Sequence, residues 1–126
     1  MPVEELNHYN LRAPRPLLDT LRDFYVQVVG LGQGFRPPFR SFGYWLYAGS
    51  RDVVHLTEAE RDETRVIDQR RTLDHMAFRC TGHVEYKQRL ESHGIPYTVD
   101  DVPLTKELQF FFSDPAGNGI ELNFKQ

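Results

Sequence analysis

Cysteine is nearly absent: Cys80 is the only one in 126 residues, which excludes an intramolecular disulfide framework and any zinc knuckle built on paired thiolates. A metal in this chain must rest on histidines and carboxylates. No stretch approaches the roughly 18 consecutive apolar residues of a membrane span. The N-terminal Met1-Pro2-Val3-Glu4-Glu5 lacks the basic and apolar regions of a secretory signal, so a cytoplasmic chain with no membrane partner is expected. An excess of charge of one sign is missing too. Fifteen Lys+Arg stand against 18 Asp+Glu, a formal charge of -3 mixed along the chain, which leaves no basic stripe for a phosphate backbone and makes nucleic acid an unexpected partner. What is present is apolar mass, 40% of residues, enough at this length for one domain with its own core.

The chain reads as two copies of one unit. Asn7-His8-Tyr9-Asn10-Leu11-Arg12 matches Asp74-His75-Met76-Ala77-Phe78-Arg79 at an offset of 67 (75 less 8). Each is followed by a segment with helical spacing, from Leu17 to Tyr25 and from Val84 to Leu90, that ends in Gly plus an apolar residue, Gly30-Leu31 and Gly94-Ile95. Tyr44-Trp45-Leu46 with Val53-Val54-His55-Leu56 then parallels Phe110-Phe111-Phe112 with Gly119-Ile120-Glu121-Leu122. The predicted fold is α+β: a unit of strand, helix and three strands (βαβββ), written twice over about 5–56 and 73–125. The polar stretch 57–72, with charges of both signs, reads as a solvated linker. Gly30-Leu31-Gly32-Gln33-Gly34 follows a helix rather than a strand, which argues against a nucleotide loop.

Alternation along strands places one metal-capable side chain on the polar face of each first and last strand. His8, Asn10 and Arg12 oppose Tyr9 and Leu11; His75 and Arg79 oppose Met76 and Phe78; His55 opposes Val54 and Leu56; Glu121 opposes Ile120 and Leu122. His8, His55, His75 and Glu121 therefore stand at repeat-equivalent places, and imidazoles with one carboxylate suit Zn, Ni, Co, Mn or Fe(II). His83 and His93, on the second helical segment, lack that support and are expected at the surface.

At these residues the sequence resembles the vicinal oxygen chelate superfamily, which includes glyoxalase I, fosfomycin-resistance proteins, extradiol dioxygenases and bleomycin-binding proteins. The carriers are Leu6-Asn7-His8-Tyr9-Asn10-Leu11, Phe24-Tyr25 through Gly30-Leu31, Asp74-His75-Met76-Ala77-Phe78 and, most specific, Phe112-Ser113-Asp114-Pro115-Ala116-Gly117-Asn118-Gly119-Ile120-Glu121-Leu122. In the last, Asp-Pro opens a turn and Gly-Asn-Gly supplies positive φ before the Glu-bearing strand. The resemblance implies paired modules forming a cup-shaped mixed sheet around a divalent metal, with His8, His55, His75 and Glu121 as ligands, and a homodimer that covers open sheet edges. His55 departs from the pattern, since glyoxalase I-like members carry Glu or Gln there and others do without that ligand; it reads as a ligand, a base or a substrate contact.

The implied chemistry is Lewis-acid stabilisation of an enolate or alkoxide on a small, oxygen-rich, anionic substrate by a glyoxalase-like isomerase or lyase, with Glu121 or His55 as base. Two alternatives stand beside it: an extradiol-type dioxygenase with Fe(II) on His8, His75 and Glu121, and a protein that binds or modifies an antibiotic, metal-free or as a fosfomycin-type transferase. Arg12 and Arg79, with Asn10, face the expected cavity, where a guanidinium either holds a substrate carboxylate or phosphonate or closes the rim by a salt bridge. Arg36 and Arg40 lie in Phe35-Arg36-Pro37-Pro38-Phe39-Arg40-Ser41-Phe42, which reads either as an apolar lid with cations for an anion or as a proline-stiffened connection with phenylalanines for a dimer contact.

Overall fold

In the computed structural model, which describes residues 2–125, the chain runs strand, helix, three strands, and then repeats that order. The first unit holds β1 (Tyr9–Ala13), α1 (Arg15–Phe24) continued by a π-helical turn (Tyr25–Val29), β2 (Gly32–Gly34), β3 (Gly43–Ala48) and β4 (Arg51–Glu58). The second holds β5 (His75–Cys80), α2 (His83–Ser92), β6 (Thr98–Val102), β7 (Glu107–Ser113) and β8 (Gly119–Lys125). Each unit is a four-stranded mixed sheet, ordered β1-β4-β3-β2 and β5-β8-β7-β6, so the fold is the expected α+β tandem of βαβββ modules.

One topological feature positions the candidate residues. The first and last strands of each unit are parallel neighbours, pairing Asn10 with His55 and Ala77 with Glu121. The helix supplies the crossover that a parallel pair requires. Residues far apart in sequence are thereby brought side by side on one face.

The opposite face is the core. In α1 and its π-helical extension Leu18, Leu21, Tyr25 and Val28 are buried, a stripe at helical spacing. It lies over β4 and β3, where Val54, Leu56 and Leu46 are fully inaccessible. Each such side chain contributes on the order of 2 kcal/mol of transfer free energy. Pro16 lies in the first helical turn, where a missing N–H costs nothing. The π-helical turn closes on Gly30 at φ 97°, with the amides of Gly30 and Leu31 both donating to the Tyr25 carbonyl at 3.0 and 2.9 Å. In the second unit α2 buries Leu90 alone; Tyr86 and His83 lay their rings 5.6 and 6.1 Å from Phe124. Gly94 ends it at φ 66°, so both glycine stops occupy the left-handed region that favours glycine.

The chain divides into units Met1–Arg65 and Val66–Gln126. The stretch 57–72 is thus shared between them. Thr57 and Glu58 complete β4, and Glu63 is bonded to Arg12 of β1. The Asp68 amide donates to the Ala116 carbonyl at 2.8 Å, which ties it to the loop before β8.

That loop is built around Asp114, which is 5% exposed. Its Oδ1 accepts the amides of Ala116 and Asn118, both at 2.9 Å, and its Oδ2 accepts Asn118 Nδ2 at 3.0 Å. Of Gly117, Asn118 and Gly119, only Gly117 has positive φ, at 88°. The expectation that all three supply it is corrected: Gly119 is required for space, because a Cβ there would sit 2.2 Å from the Asp74 carbonyl oxygen. The loop so fixed sets the register in which β8 starts beside His75.

Candidate functional site

The second unit brings His75 and Glu121 together. His75 Nε2 lies 3.1 Å from Glu121 Oε1, and Glu121 is 5% exposed. The other carboxylate oxygen, Oε2, accepts Gln109 Nε2 at 3.1 Å and Asn123 Nδ2 at 3.3 Å. Those two bonds aim Oε1 at the histidine. Asn123 Oδ1 is buried and has no hydrogen-bond partner among the described residues. The far side of His75 is held as well: Nδ1 lies 2.8 Å from Asp74 Oδ2, and the Phe111 ring meets the imidazole edge-on at 5.5 Å. The bond to His75 draws the Asp74 carboxyl below its usual range.

The first unit brings His8 and His55 together in a different way. Their rings stack at 3.7 Å, and the indole of Trp45 stacks on His55 at 4.1 Å, so His55 has an aromatic ring on each face. Trp45 is the register partner of His55 across β3 and β4. Its edge is engaged too, with Nε2 at 2.7 Å from Asp52 Oδ2. The Asp52 carboxyl is pushed down by that bond. His8 is lowered by desolvation first and by the neighbouring charge of His55 second, with Asp52 opposing.

Asp52 is a residue that strand parity misses. It lies three positions before His55, on the wrong face for a regular strand. The ladder shows why it reaches: Leu46 pairs with Val54 but Tyr47 pairs with Asp52, leaving Val53 as an extra, bulged residue. A bulge reverses the side on which the preceding residues project. Gln109 had a visible signal, a polar residue between Leu108 and Phe110 in an apolar strand.

The arginines are distributed unequally. Arg12 grips Glu63 through two bonds, Nη2 to Oε1 at 2.7 Å and Nε to Oε2 at 3.0 Å, and Glu63 also accepts from Arg65 and from the Glu60 amide. Of the two roles left open for Arg12, this geometry occupies it as a salt bridge. Arg79 is half exposed and contacts Glu107 at 3.3 Å. Asn10 donates to Thr57 Oγ1 at 2.8 Å. Arg40 is exposed, as are Phe35 and Phe39 in the same segment, while Arg36 is turned inward to the Ser41 carbonyl at 2.8 Å. His83 and His93 are at the surface.

Three donors to Glu63, led by the Arg12 bond, hold its carboxyl far below the usual glutamate range. A folded-state value below the unfolded one means stability that is present above the unfolded value and lost as pH falls. Glu63→Gln should therefore lower the melting temperature at pH 7, and its gap to the parent should shrink steadily below about pH 4.3. Thermal melts of both proteins from pH 7 to 2 check this; a constant gap would contradict it.

Among the described residues, no group of three or more His, Cys, Asp or Glu side chains forms a ready cation cluster; the donors come as pairs, one in each unit. Their chemistry nevertheless suits a divalent ion. His75 and Glu121 each have one polar atom held by a neighbour and the other turned to its partner.

No helix among the described residues is long and apolar enough to cross a membrane. No curated protein matches the chain. Solved structures do. A glyoxalase family protein from Bacillus anthracis shares 23% identity over 98% of this chain and 97% of that one, with a TM-score of 0.73. The genomically encoded fosfomycin resistance protein FosX from Listeria monocytogenes shares 16% over 98% and 95%, TM-score 0.72. Lactoylglutathione lyase from Agrobacterium tumefaciens shares 22% over 98% and 96%, TM-score 0.67. At such identities these neighbours speak for the fold alone. The sequence profile of the Glyoxalase/Bleomycin resistance protein/Dioxygenase superfamily matches residues 5–122. Because that match runs through both units, it is the duplicated whole, not one half of it, that belongs to the glyoxalase/bleomycin resistance protein/dioxygenase superfamily.

Proposed function

We propose that this chain is a metal-dependent enzyme of the superfamily, with His8 in the first unit and His75 and Glu121 in the second as metal-ligating side chains and a small, oxygen-rich, anionic molecule as substrate. The observation that carries the reading is the buried Glu121, whose Oε1 lies 3.1 Å from His75 Nε2 while its other oxygen is held by Gln109 and Asn123. A buried carboxylate is costly unless paired or coordinated. The bound ion supplies Lewis acidity toward substrate oxygens.

The chain's own residues do the rest. His55, engaged at Nε2 by Asp52 and covered by Trp45 and His8, serves the site as a wall that holds the His8 ring. Its sequestration argues against the ligand role that the repeat suggests for it. Arg79, four residues along β5 from His75, is half exposed and held among the described residues only by one 3.3 Å contact to Glu107, which makes it the guanidinium more easily turned to an anionic substrate group. Arg12 is spent on Glu63.

Isomerase or lyase chemistry is the first reading. The two-histidine, one-carboxylate set favours Fe(II)-dependent ring cleavage as the second. The test begins with uptake. Trp45 is the only tryptophan, so its emission reports on the histidine stack. Titrating the metal-free chain with Zn, Ni, Co, Mn and anaerobic Fe(II) should change that emission and end at one ion per chain. Uptake below about 0.2 equivalents of every ion would remove the reading. Exchange of a proton beside a substrate carbonyl into deuterated solvent then marks the isomerase, and oxygen consumption with a catechol marks the dioxygenase.

A further inference from the structure

His8, immediately before β1, and His75, the first residue of β5, share more than a position in the repeat. Asn7 precedes His8 and Asp74 precedes His75, and each predecessor turns a side-chain oxygen to the Nδ1 of its neighbour, at 2.7 and 2.8 Å. An amide or carboxylate oxygen only accepts, so the hydrogen of each bond belongs to Nδ1. In a neutral imidazole the lone pair is then on Nε2. That is the nitrogen of His75 that faces Glu121. His55 is held at the opposite nitrogen, by Asp52 at Nε2. The three rings are thus sorted by their acceptors into two kinds.

We propose that Asn7 and Asp74 are positioning residues, each fixing the next histidine as the Nδ1–H tautomer and so leaving its Nε2 free for a metal ion; the inference rests on the metal-binding reading above. The device occurs twice at the same offset as the rest of the repeat, once with an amide and once with a carboxylate. Sequence alone shows the pairs but gives no reason for them. The acceptor restrains ring rotation and excludes the tautomer whose Nε2 carries hydrogen, and acceptors of this kind are typically worth about 10- to 100-fold in metal affinity. The first unit also supplies the control for the second, because Asp74→Asn writes into β5's approach the version that Asn7 already provides.

The test has two readouts. Nitrogen-15 NMR of the metal-free chain, at a pH where imidazoles are neutral, should show His8 as the Nδ1–H tautomer and His55 as the Nε2–H tautomer, with Asn7→Ala shifting His8 toward a mixture. In competition titrations of Zn against a chromophoric chelator, Asn7→Ala and Asp74→Ala should each weaken binding by about 10- to 100-fold, and Asp74→Asn by no more than about threefold. Both residues are exposed, so melting temperatures should stay at the parent value. The proposal is overturned by His8 as Nε2–H in the parent chain, by unchanged Zn affinity in both alanine variants, or by Asp74→Asn binding as weakly as Asp74→Ala. A parent chain that takes up no Zn removes the metal reading, whereas the His8 tautomer still decides the positioning role.

Discussion

Glu121→Gln should weaken divalent-ion binding by about 100-fold or more while leaving the fold intact. The argument rests on which oxygen does what. Oε2 accepts from Gln109 and Asn123, and a glutamine carbonyl can take those two bonds in its place. The amide nitrogen is then left facing His75 Nε2 where Oε1 stood, without charge and without a lone pair to offer. Losing a ligand should cost at least the upper end of the 10- to 100-fold range typical of groups one bond further out. The measurement is Zn and Ni competition titration beside a thermal melt. A melting temperature within a few degrees of the parent with unchanged affinity would sink the assignment of Glu121. The replacement also separates binding from folding better than alanine, which would leave the amides of Gln109 and Asn123 buried without an acceptor.

The second large effect is expected far from any ligand. Asp114→Ala should destabilise the protein by about 3 kcal/mol, because it leaves the amides of Ala116 and Asn118 and the Asn118 side chain without their acceptor in a nearly closed loop. The corresponding fall in melting temperature is about 10 °C. Asp114→Asn should fall between the two, since one amide oxygen can still serve the backbone while its nitrogen confronts Asn118 Nδ2. Urea and thermal unfolding of the three proteins check the order. Equal stability of parent and alanine variant would show that water replaces the carboxylate freely. Because the loop sets where β8 begins, the alanine variant should also lose ion affinity, in contrast to Glu121→Gln, which loses it alone.

Much of this architecture is legible in the sequence because duplication prints it twice. The matched His8 and His75, the paired glycine stops and the alternation around His55 and Glu121 lead to βαβββ units with polar faces, and each of those elements is found. The same alternation puts His75 and Glu121 on one face, where they lie 3.1 Å apart. What sequence did not convey depends on contacts with no periodic signature. The partner of Arg12 is Glu63, in a polar stretch that reads as linker. Gln109 acts through a bond from the adjacent strand. Asp52 is hidden by the bulge, which breaks the period on which any face assignment rests. The continuation of α1 as a π-helical turn through Val29 likewise leaves no mark in the spacing of apolar residues.

The bulge at Val53 also bears on how this site can change over evolutionary time. Histidine chemistry is commonly imagined to be altered by exchanging residues. Here the carboxylate beside His55 owes its place to one surplus residue in β4. If Val53 paired with Tyr47, as in an unbulged ladder, Asp52 would lie on the opposite face with every side chain of the pair still encoded. The pairing of His55 with an acid is thus a property of strand register, and two sequences that agree at both positions need not share it.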